Sequence, residues 1–432
     1  MRLLPKLLRG AVKAGRIDLR GPNGFSEVIG GTAPGPSVAV RVTDPSFDWK
    51  IALNPELKAA EAYMDGGLVV EDGTIHDFIS LFFHNKKHFD LTPAQIFWRG
   101  LARKTRRAMQ HNPIARARSN AAHHYDLGND FYRLWLDDDL QYSCAYWEDG
   151  VEALADAQTA KKRHIAAKLA LEPGQRVLDI GCGWGGMALY LASVADVHVT
   201  GVTLAEEQLA VARRRAEILG LTDRVEFRLQ DYREVPETFD RIVSVGMLEH
   251  VGAHHLTEYF LGVRDRLGPD GVALIHAITS KAPPGVTGPF IRKYIFPGGY
   301  APSLSETFDA IEKSGLWTLD CEIWRVHYAK TLAVWRENFA TVRDQAVALY
   351  DERFARMWEL YLSSCECVFS HGASCVFQIQ LGRERDGVPL TRDYLGPAKE
   401  ALASREADIL GPVVASAHRA LADGSDVSSA AG

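Results

Sequence analysis

The chain has 432 residues, of which 47% are hydrophobic and 24% charged, and its formal net charge is −6. This composition is typical of a soluble globular protein, and the length allows more than one domain. No stretch reaches the roughly 18 consecutive apolar residues of a membrane-spanning helix, which excludes that class of protein.

The first 90 residues predict a small mixed domain. The segments 38–43 (VAVRVT) and 49–53 (WKIAL) are predicted strands, and residues 55–66 predict a helix that Gly66 ends. The opening MRLLPKLLRG lacks the apolar run and cleavage site of a signal peptide. The six cysteines show no paired C-x-x-C spacing. We therefore expect reduced thiols, no metal site and a cytoplasmic protein.

Positive charge is concentrated near the beginning of the chain. Residues 1–120 contain 18 Lys and Arg against 11 Asp and Glu. The densest part, residues 99–120, has seven cations and no acid, and it directly follows the apolar triplet Ile96, Phe97 and Trp98. Cations beside bulky apolar groups are typical of a segment that contacts anionic lipid. A solvated helix and linker is the alternative, and no recognition motif supports a nucleic-acid partner.

From about residue 155, predicted strands alternate with predicted helices. This alternation indicates a parallel sheet covered by helices on both faces. The strands are expected at 176–180, 197–202, 225–229, 240–245 and 271–278, with helices such as 205–219 and 254–267 between them. The last residues, GSDVSSAAG, predict a frayed tail.

The segment 177–186, VLDIGCGWGG, predicts a strand followed by a glycine-rich turn that holds a ligand. Gly181, Gly183 and Gly186 fit G-x-G-x-x-G, which permits a tight turn and a close approach of backbone to ligand. A dinucleotide site would place an acid about 20 residues later, where the chain has Thr203. The acid comes early instead, as Asp179, which is the usual pattern of S-adenosylmethionine (SAM) methyltransferases. A carboxylate suits the sulfonium and ammonium of SAM; a nicotinamide or flavin cofactor, or a turn without a ligand, are the alternatives.

Six motifs together resemble those of the cyclopropane-fatty-acyl-phospholipid synthases and the related mycolic acid cyclopropane synthases. The resemblance covers roughly residues 120–385, and a domain ahead of them resembles the phospholipid-acting branch. The motifs are HYDLGNDFY (124–132), QYSCAYWEDG (141–150), VLDIGCGWGG (177–186), GVTLAEEQ (201–208), DRIVSVGMLEHVG (240–252) and KYIFPGG (293–299).

The resemblance implies a fold class and a domain organisation. The fold is α/β, with a doubly wound, mostly parallel, seven-stranded SAM-methyltransferase sheet of Rossmann-like type and a small mixed N-terminal domain. The expected domains are a lipid-facing N-terminal domain (1–90), a basic connector (91–122), the catalytic domain (123–395) and a C-terminal helix and tail (396–432). The basic connector then becomes an expected membrane contact, which places a peripheral enzyme at the inner face of the membrane. The family also suggests a homodimer.

The resemblance implies SAM-dependent methylene transfer to the cis double bond of unsaturated phospholipid acyl chains, which gives cyclopropane acyl groups with bicarbonate as the base. An alkene is a poor nucleophile, so methyl transfer leaves a carbocation that needs a dry, electron-rich pocket. The aromatic residues of YSCAYW and IRKYIFPGGY fit such a pocket. The same pocket gives methyl- or methylene-branched acyl groups when the proton is lost elsewhere, and this product is the alternative.

Site residues follow from the matching motifs. The catalytic positions are Cys144, Glu249, His276, the backbone N–H of Ile278, and Tyr328. Taken singly, each of these residues could serve packing or helix capping alone. Cys365 matches a cysteine proposed as catalytic in the family, but the chemistry needs no covalent adduct, and a structural thiol is the alternative.

The family pattern also assigns the residues that bind SAM. Each of them belongs to one of the motifs quoted above or to the end of the third strand, LQDY. Tyr142 and Ser143 hold the amino-acid end, Asp179, Gly181 and Gly183 form the turn, Thr203 and Gln208 reach the ribose, and Gln230 and Asp231 lie beside the adenine.

Overall fold

The computed structural model describes residue 1, residues 3–89, residue 100, residues 127–406 and the isolated residues 409, 411, 412, 415, 419 and 420. The basic segment 99–120, apart from residue 100, and the terminal tail therefore lie outside the described residues. Two compact units divide the chain. Unit 1 comprises Met1–Met109, Gly285–Pro297 and Leu332–Ser374, and unit 2 comprises Gln110–Pro284, Gly298–Thr331 and Cys375–Gly432. The predicted domain boundaries stay a prediction, since unit 1 also takes two segments from the expected catalytic range.

Unit 1 contains a four-stranded sheet of order β2-β1-β3-β4. The β1–β3 pair is parallel, whereas the β1–β2 and β3–β4 pairs are antiparallel. In β3 the side chains of Val38, Val40 and Val42 are buried, and the small side chain of Ala39 is buried between the first two. The elements are α1 (Leu3–Ala11), β1 (Ala14–Arg20), β2 (Ser26–Gly30), β3 (Ala33–Val42), α2 (Ser46–Leu53), α3 (Pro55–Met64), β4 (Leu68–Asp72) and α4 (Ile75–His84).

The predicted strand 49–53 is wrong, because these residues form the end of helix α2. The side chain of Asp44 accepts from the backbone N–H of Ser46 at 2.8 Å, which stabilises the first turn. Trp49 and Leu53, four residues apart, are both exposed, while Ile51 is buried. The helix that begins at Ser46 thus continues through this apolar segment despite its strand propensity.

Unit 2 contains a seven-stranded sheet of order β10-β11-β9-β8-β5-β6-β7. The pairs β5–β6, β6–β7, β5–β8 and β8–β9 are parallel, and β10–β11 is antiparallel. The predicted α/β fold class with a seven-stranded, mostly parallel sheet is confirmed. The strands are β5 (Arg176–Ile180), β6 (His198–Thr203), β7 (Val225–Leu229), β8 (Phe239–Val245), β9 (Leu267–Ser280), β10 (Trp317–Trp324) and β11 (Ser374–Gly382).

Helices cover both faces of this sheet. On one face Tyr190 and Leu191 pack with Ala212 in one buried cluster, and on the other Tyr259 and Ile311 pack in a second. The remaining α-helices are α5 (Asn129–Arg133), α6 (Leu154–Leu169), α7 (Gly186–Ala195), α8 (Glu206–Ile218), α9 (Leu256–Arg266), α10 (Leu304–Ser314), α11 (His327–Leu349), α12 (Glu352–His371) and α13 (Leu395–Glu406). Short 3-10 helices lie at Pro22–Gly24, Lys86–His88, Tyr232–Glu234, Leu248–His250 and Arg392–Tyr394, and a π-helix at Ile291–Ile295.

The order of the strands indicates which edge of the sheet in unit 2 binds a ligand. From β5 the chain runs outward through β6 and β7, then returns to β8 on the other side of β5. In open α/β sheets, ligands bind beyond the carboxyl ends of the strands at such a reversal. Within the described part of the chain, no helix is both long enough and apolar enough to cross a membrane.

Candidate functional site

The glycine-rich turn lies directly beyond the carboxyl end of β5. Gly181 has φ +83° and Gly183 has φ +53°, a backbone region that glycine adopts without strain. A side chain at Gly183 would meet nothing within 4 Å, so its backbone faces open space. Gly186 is required for a different reason, because a Cβ atom there would come within 2.3 Å of the Gln141 amide. Two of the three glycines thus shape the turn, and the third allows close packing beneath it.

Asp179 is a buried carboxyl group in β5, two residues before Gly181. Its side chain is 2% exposed, and its Oδ2 atom has no hydrogen-bond partner among the described residues. Burial raises the pKa of this carboxyl group to about 7. A buried carboxylate with a free oxygen favours a ligand that brings positive charge, and SAM has that character.

The predicted ribose and adenine residues lie beyond the ends of the next two strands. Thr203 ends β6, and Gln208 lies in the first turn of α8; both are buried. Gln230 follows β7, and its backbone N–H donates to the Thr203 carbonyl at 3.1 Å. The carboxylate of Asp231 accepts two hydrogen bonds from the Arg233 guanidinium, at 2.8 and 2.7 Å. The four residues share the sheet edge with the glycine turn, and their roles toward SAM stay predictions.

Helix α6 holds the segment 141–143 in place. The Gln158 amide donates to the backbone carbonyls of Gln141 and Ser143, at 3.2 and 3.0 Å. One turn further along, the Lys161 ammonium donates to Gln141 Oε1 and to Ser143 Oγ, both at 2.8 Å. The predicted SAM residue Tyr142 lies between these two anchored residues, so its position is set by α6.

A buried ion network links this segment to the glycine turn. Asp139 accepts from Lys162 at 2.5 Å and from the Gln141 amide at 2.9 Å, and it also pairs with Arg215. Arg215 in turn donates to the Trp184 carbonyl of the turn at 2.9 Å. Sequence reasoning missed Lys161, Asp139 and Arg215. Adjacent lysines in a helix are typical of a solvated face, so no sequence signal revealed their burial.

Glu249 is the central acid of the predicted catalytic set. It lies in a short 3-10 helix after β8, and its Oε1 accepts from the backbone N–H of Ile278 at 2.6 Å. Its Oε2 is buried without a hydrogen-bond partner in the described part of the chain. Burial raises the pKa of this carboxyl group to about 7, against the lowering effect of the Ile278 N–H. Glu249 therefore carries a proton in a large fraction of molecules near neutral pH.

His276 lies on β9, opposite Val245 of β8, and is buried. Burial lowers its pKa well below the ordinary value, so the ring is neutral. The side-chain amide of Gln378 lies 3.2 Å from its Nδ1, and the ring of Trp324 packs edge-on at 4.9 Å between centroids. If that amide donates to Nδ1, the proton of the neutral ring resides on Nε2, which can then donate to an anion. Sequence reasoning also missed Gln378.

Cys144 and Tyr328 lie on segments that are bonded to each other. The backbone N–H of Ala145 donates to Thr331 Oγ1 at 3.1 Å, and that of Trp147 donates to the His327 ring at 2.9 Å. The first turn of α11, which carries Tyr328, is thereby fixed beside Cys144. Both side chains are buried. Burial raises the pKa of the Cys144 thiol, so this group is a neutral donor.

Cys365 lies in unit 1, on helix α12, whereas all the other predicted site residues lie in unit 2. Burial raises the pKa of its thiol to about 12. A thiol protonated at neutral pH is a poor nucleophile. The chemistry of this thiol supports the structural alternative for Cys365.

Aromatic residues of the segment 142–147 pack against rings from other parts of unit 2: Tyr142 contacts Tyr132 and Trp135, with ring centroids 5.3 and 5.6 Å apart. Tyr146 stacks between His164, at 4.4 Å, and His327, at 5.0 Å. The Trp147 indole donates to Thr331 Oγ1 at 3.1 Å. The contacts of Tyr146 and Trp147 therefore connect this segment to α6 and to the first turn of α11.

Comparison with known proteins identifies relatives over most of the chain. The family model for mycolic acid cyclopropane synthetase matches residues 113–379. The cyclopropane-fatty-acyl-phospholipid synthase of Escherichia coli K12 is 39% identical over 369 residues, which cover 82% of this chain and 90% of that protein. A probable fatty acid methyltransferase of Pseudomonas putida is 37% identical over 353 residues, with coverage of 80% and 87%.

A solved structure agrees with these matches. The crystal structure of mycolic acid cyclopropane synthase CmaA1, complexed with SAH and CTAB, has a TM-score of 0.58 and 31% sequence identity to this chain. The match covers 63% of this chain and 99% of that one.

Proposed function

Because the chain belongs to the mycolic acid cyclopropane synthetase family, we propose that it converts cis double bonds of unsaturated phospholipid acyl chains into cyclopropane rings. At the coarser level, it is a SAM-dependent methyltransferase that transfers a methylene or methyl group to lipid chains. The observation that supports the finer proposal most strongly is the environment of Glu249. This buried acid accepts from the Ile278 N–H and keeps one oxygen without a partner in the described residues, and the predicted catalytic residues His276 and Cys144 are both neutral.

SAM binding uses the edge of the sheet beyond β5. The carboxylate of Asp179 stabilises the positive charge of the ligand, and the open backbone at Gly183 allows a close approach. A buried carboxylate without a partner destabilises the free protein. A bound cation supplies that partner, so the interaction favours binding. When bound, SAM would supply its sulfonium methyl group to one carbon of the double bond. The S–CH₃ bond would break, S-adenosylhomocysteine would be the leaving group, and the other carbon would become a carbocation.

Ring closure requires the loss of one proton from the transferred methyl group. His276, Cys144 and Tyr328 would hold bicarbonate, which supplies the base for this step when it is bound. His276 and Cys144 are neutral, so each can donate a hydrogen bond to the anion and keep its own proton. Glu249 fits the same site only in its protonated form, because two negative charges would otherwise lie together. A pKa of about 7 provides that form near neutral pH.

A methyl- or methylene-branched product is the second candidate. The name of the Pseudomonas putida relative, a probable fatty acid methyltransferase, supports it. Both products begin with the same methyl transfer. Loss of a proton from the transferred methyl group closes the ring, or gives a methylene branch if a hydride first shifts so that the cation lies on the carbon bearing that group; loss of a proton from the chain gives a methyl-branched alkene. The presence of Cys144, Glu249, His276 and Tyr328 favours the routes that remove a methyl proton, since these residues are proposed to serve that step.

An anionic membrane surface is the proposed partner, at the cytoplasmic face. In unit 1, helix α1 exposes Leu3 and Leu7, and helix α2 exposes Trp49 and Leu53. The two helices are bonded, because the Asp48 carboxylate accepts from the backbone N–H of Leu4 at 2.9 Å. Exposed leucine and tryptophan are the side chains that insert at a lipid interface.

The test is expression of the chain in a bacterial host that lacks such an enzyme, followed by mass spectrometry and proton NMR of its phospholipids. We expect acyl chains heavier by one CH₂ group, with high-field ring protons. The Glu249→Gln variant, expressed to the same level, is the matched control. Vinylidene or methyl-branch signals in place of ring protons would favour the second candidate. Unchanged lipids from a folded, SAM-binding protein would contradict both.

A further inference from the structure

Lys161 is a buried cation that contacts no carboxylate in the part of the chain that the structure describes. Its side chain is fully buried, and its ammonium bonds only to two neutral acceptors, Gln141 Oε1 and Ser143 Oγ. Two other lysines on the same helix are buried to a similar degree. Lys162 contacts Asp139 at 2.5 Å, and Lys168 contacts Glu322 at 2.5 Å. Burial of an ammonium without a bonded anion is costly and lowers the pKa of Lys161 to about 7, against the raising effect of the Asp137 and Asp139 carboxylates. An anion bound nearby would therefore favour the charged form of Lys161.

The hydrogen bond from the Lys161 ammonium connects its charge to Ser143, a predicted SAM-binding residue. The Lys161 ammonium donates to Ser143 Oγ, so the serine oxygen acts as an acceptor there. The hydroxyl proton of Ser143 then points elsewhere, and no acceptor for it is found in residues 3–89 or 127–406. A hydroxyl group that accepts from a cation is polarised and becomes a stronger donor. Ser143 is half-buried and therefore presents a charge-assisted donor to a ligand.

We propose that Lys161 is a positioning residue that supplies, through the hydroxyl of Ser143, the counter-charge for a carboxylate-type anion. This inference rests on the proposed function, which provides two anions of that chemistry. One is the carboxylate at the amino-acid end of SAM, expected beside Ser143. The other is bicarbonate, expected beside the neighbouring Cys144.

The backbone of the segment does not depend on Lys161 alone. Gln158 donates independently to the carbonyls of Gln141 and Ser143. Removal of the ammonium therefore removes the charge while the backbone anchors remain. Substitution of Lys161 can therefore distinguish an electrostatic role of its ammonium from a structural role in holding this segment.

The experiment measures ligand affinity calorimetrically for the full chain and for Lys161→Met, which keeps an unbranched, apolar stem. The ligands are SAM and 5′-methylthioadenosine, which retains the nucleoside and the sulfur but lacks the amino-acid end. The bicarbonate concentration that half-saturates turnover is measured in parallel. Lys168→Met is the matched control, since Lys168 lies on the same helix and already has a carboxylate partner; it should leave both affinities unchanged.

If the anion is the carboxylate of SAM, Lys161→Met weakens SAM binding by roughly tenfold to a hundredfold and leaves 5′-methylthioadenosine binding unchanged. If the anion is bicarbonate, the half-saturating bicarbonate concentration rises by a similar factor while SAM affinity is unchanged. Either result supports the proposal. Equal weakening of both nucleosides, or no change in any constant, overturns it.

Ser143→Ala provides a second route that leaves Lys161 in place. It should reproduce the same selective loss, and Lys161→Met should add little in that background. Should Lys161→Met fail to fold, Lys161→Gln, which keeps a hydrogen-bond donor but not the charge, takes its place and should show the same selective loss. The nucleoside measurements need no lipid substrate, so they stand even if no cyclopropane product forms.

Discussion

Replacement of Asp179 by asparagine should stabilise the protein without SAM and weaken its binding of SAM. The carboxyl group is buried with a free oxygen, and burial raises its pKa from the ordinary 3.8 to about 7. The folded protein therefore binds this proton more tightly than the unfolded chain does. Stability is complete below the ordinary pKa and is lost as the pH rises toward 7.

The magnitude follows from the two pKa values. At about 1.4 kcal/mol per pH unit, the buried carboxyl group costs about 2 kcal/mol of unfolding free energy at pH 5.5 and about 4 kcal/mol at pH 8. Asparagine has the same shape and no charge, so the variant avoids this cost. Its Tm should exceed that of the unchanged protein, and the gap should widen between the two pH values.

The assay is thermal unfolding of both proteins at pH 5.5 and pH 8, with and without SAM. In the unchanged protein SAM should raise the Tm strongly at pH 8, because its positive charge compensates the carboxylate. In Asp179→Asn this ligand effect should be much smaller. Equal Tm values with the same pH dependence would refute the assignment of Asp179 as a buried, uncompensated acid.

Three further substitutions test other residues. Glu249→Gln keeps the acceptor for the Ile278 N–H but loses the acid. Turnover in a product assay should therefore fall by roughly 10²–10⁴-fold while SAM affinity stays constant. Turnover at the original rate would remove Glu249 from the catalytic set. Cys365→Ser should keep turnover within about twofold, since the mechanism forms no covalent adduct, and loss of activity in a folded variant would revive the catalytic role of this thiol. Leu53→Glu should weaken sedimentation with anionic vesicles, because it places a negative charge on the exposed face of α2. Leu349→Glu, at a leucine with the same 51% exposure on α11, should not; equal effects would show that the α1–α2 face has no special role.

Features set by short stretches of sequence could be predicted, whereas those set by packing could not. The strand, the turn and Asp179 follow from ten consecutive residues, because the acid, the glycines and the strand are adjacent in the chain. Cys144, Glu249, His276 and Tyr328 come from distant segments, and only the family resemblance placed them together. The burial of Lys161 and the approach of Gln378 to His276 depend on how α6 and β11 pack, which composition does not reveal. Helix α2 was predicted wrongly because the strand propensity of WKIAL does not reveal that a helix already begins at Ser46.

The measurement that tests the central claim most directly uses SAM with a trideuterated methyl group, the purified protein and unsaturated phospholipid vesicles. We expect cyclopropane rings that retain two of the three deuterium atoms on the ring methylene, because ring closure removes the third. Deuterium NMR and mass spectrometry of the product determine this number. Retention of all three deuterium atoms on a methyl branch would contradict ring closure, and with it the role proposed for Glu249 and its neighbours.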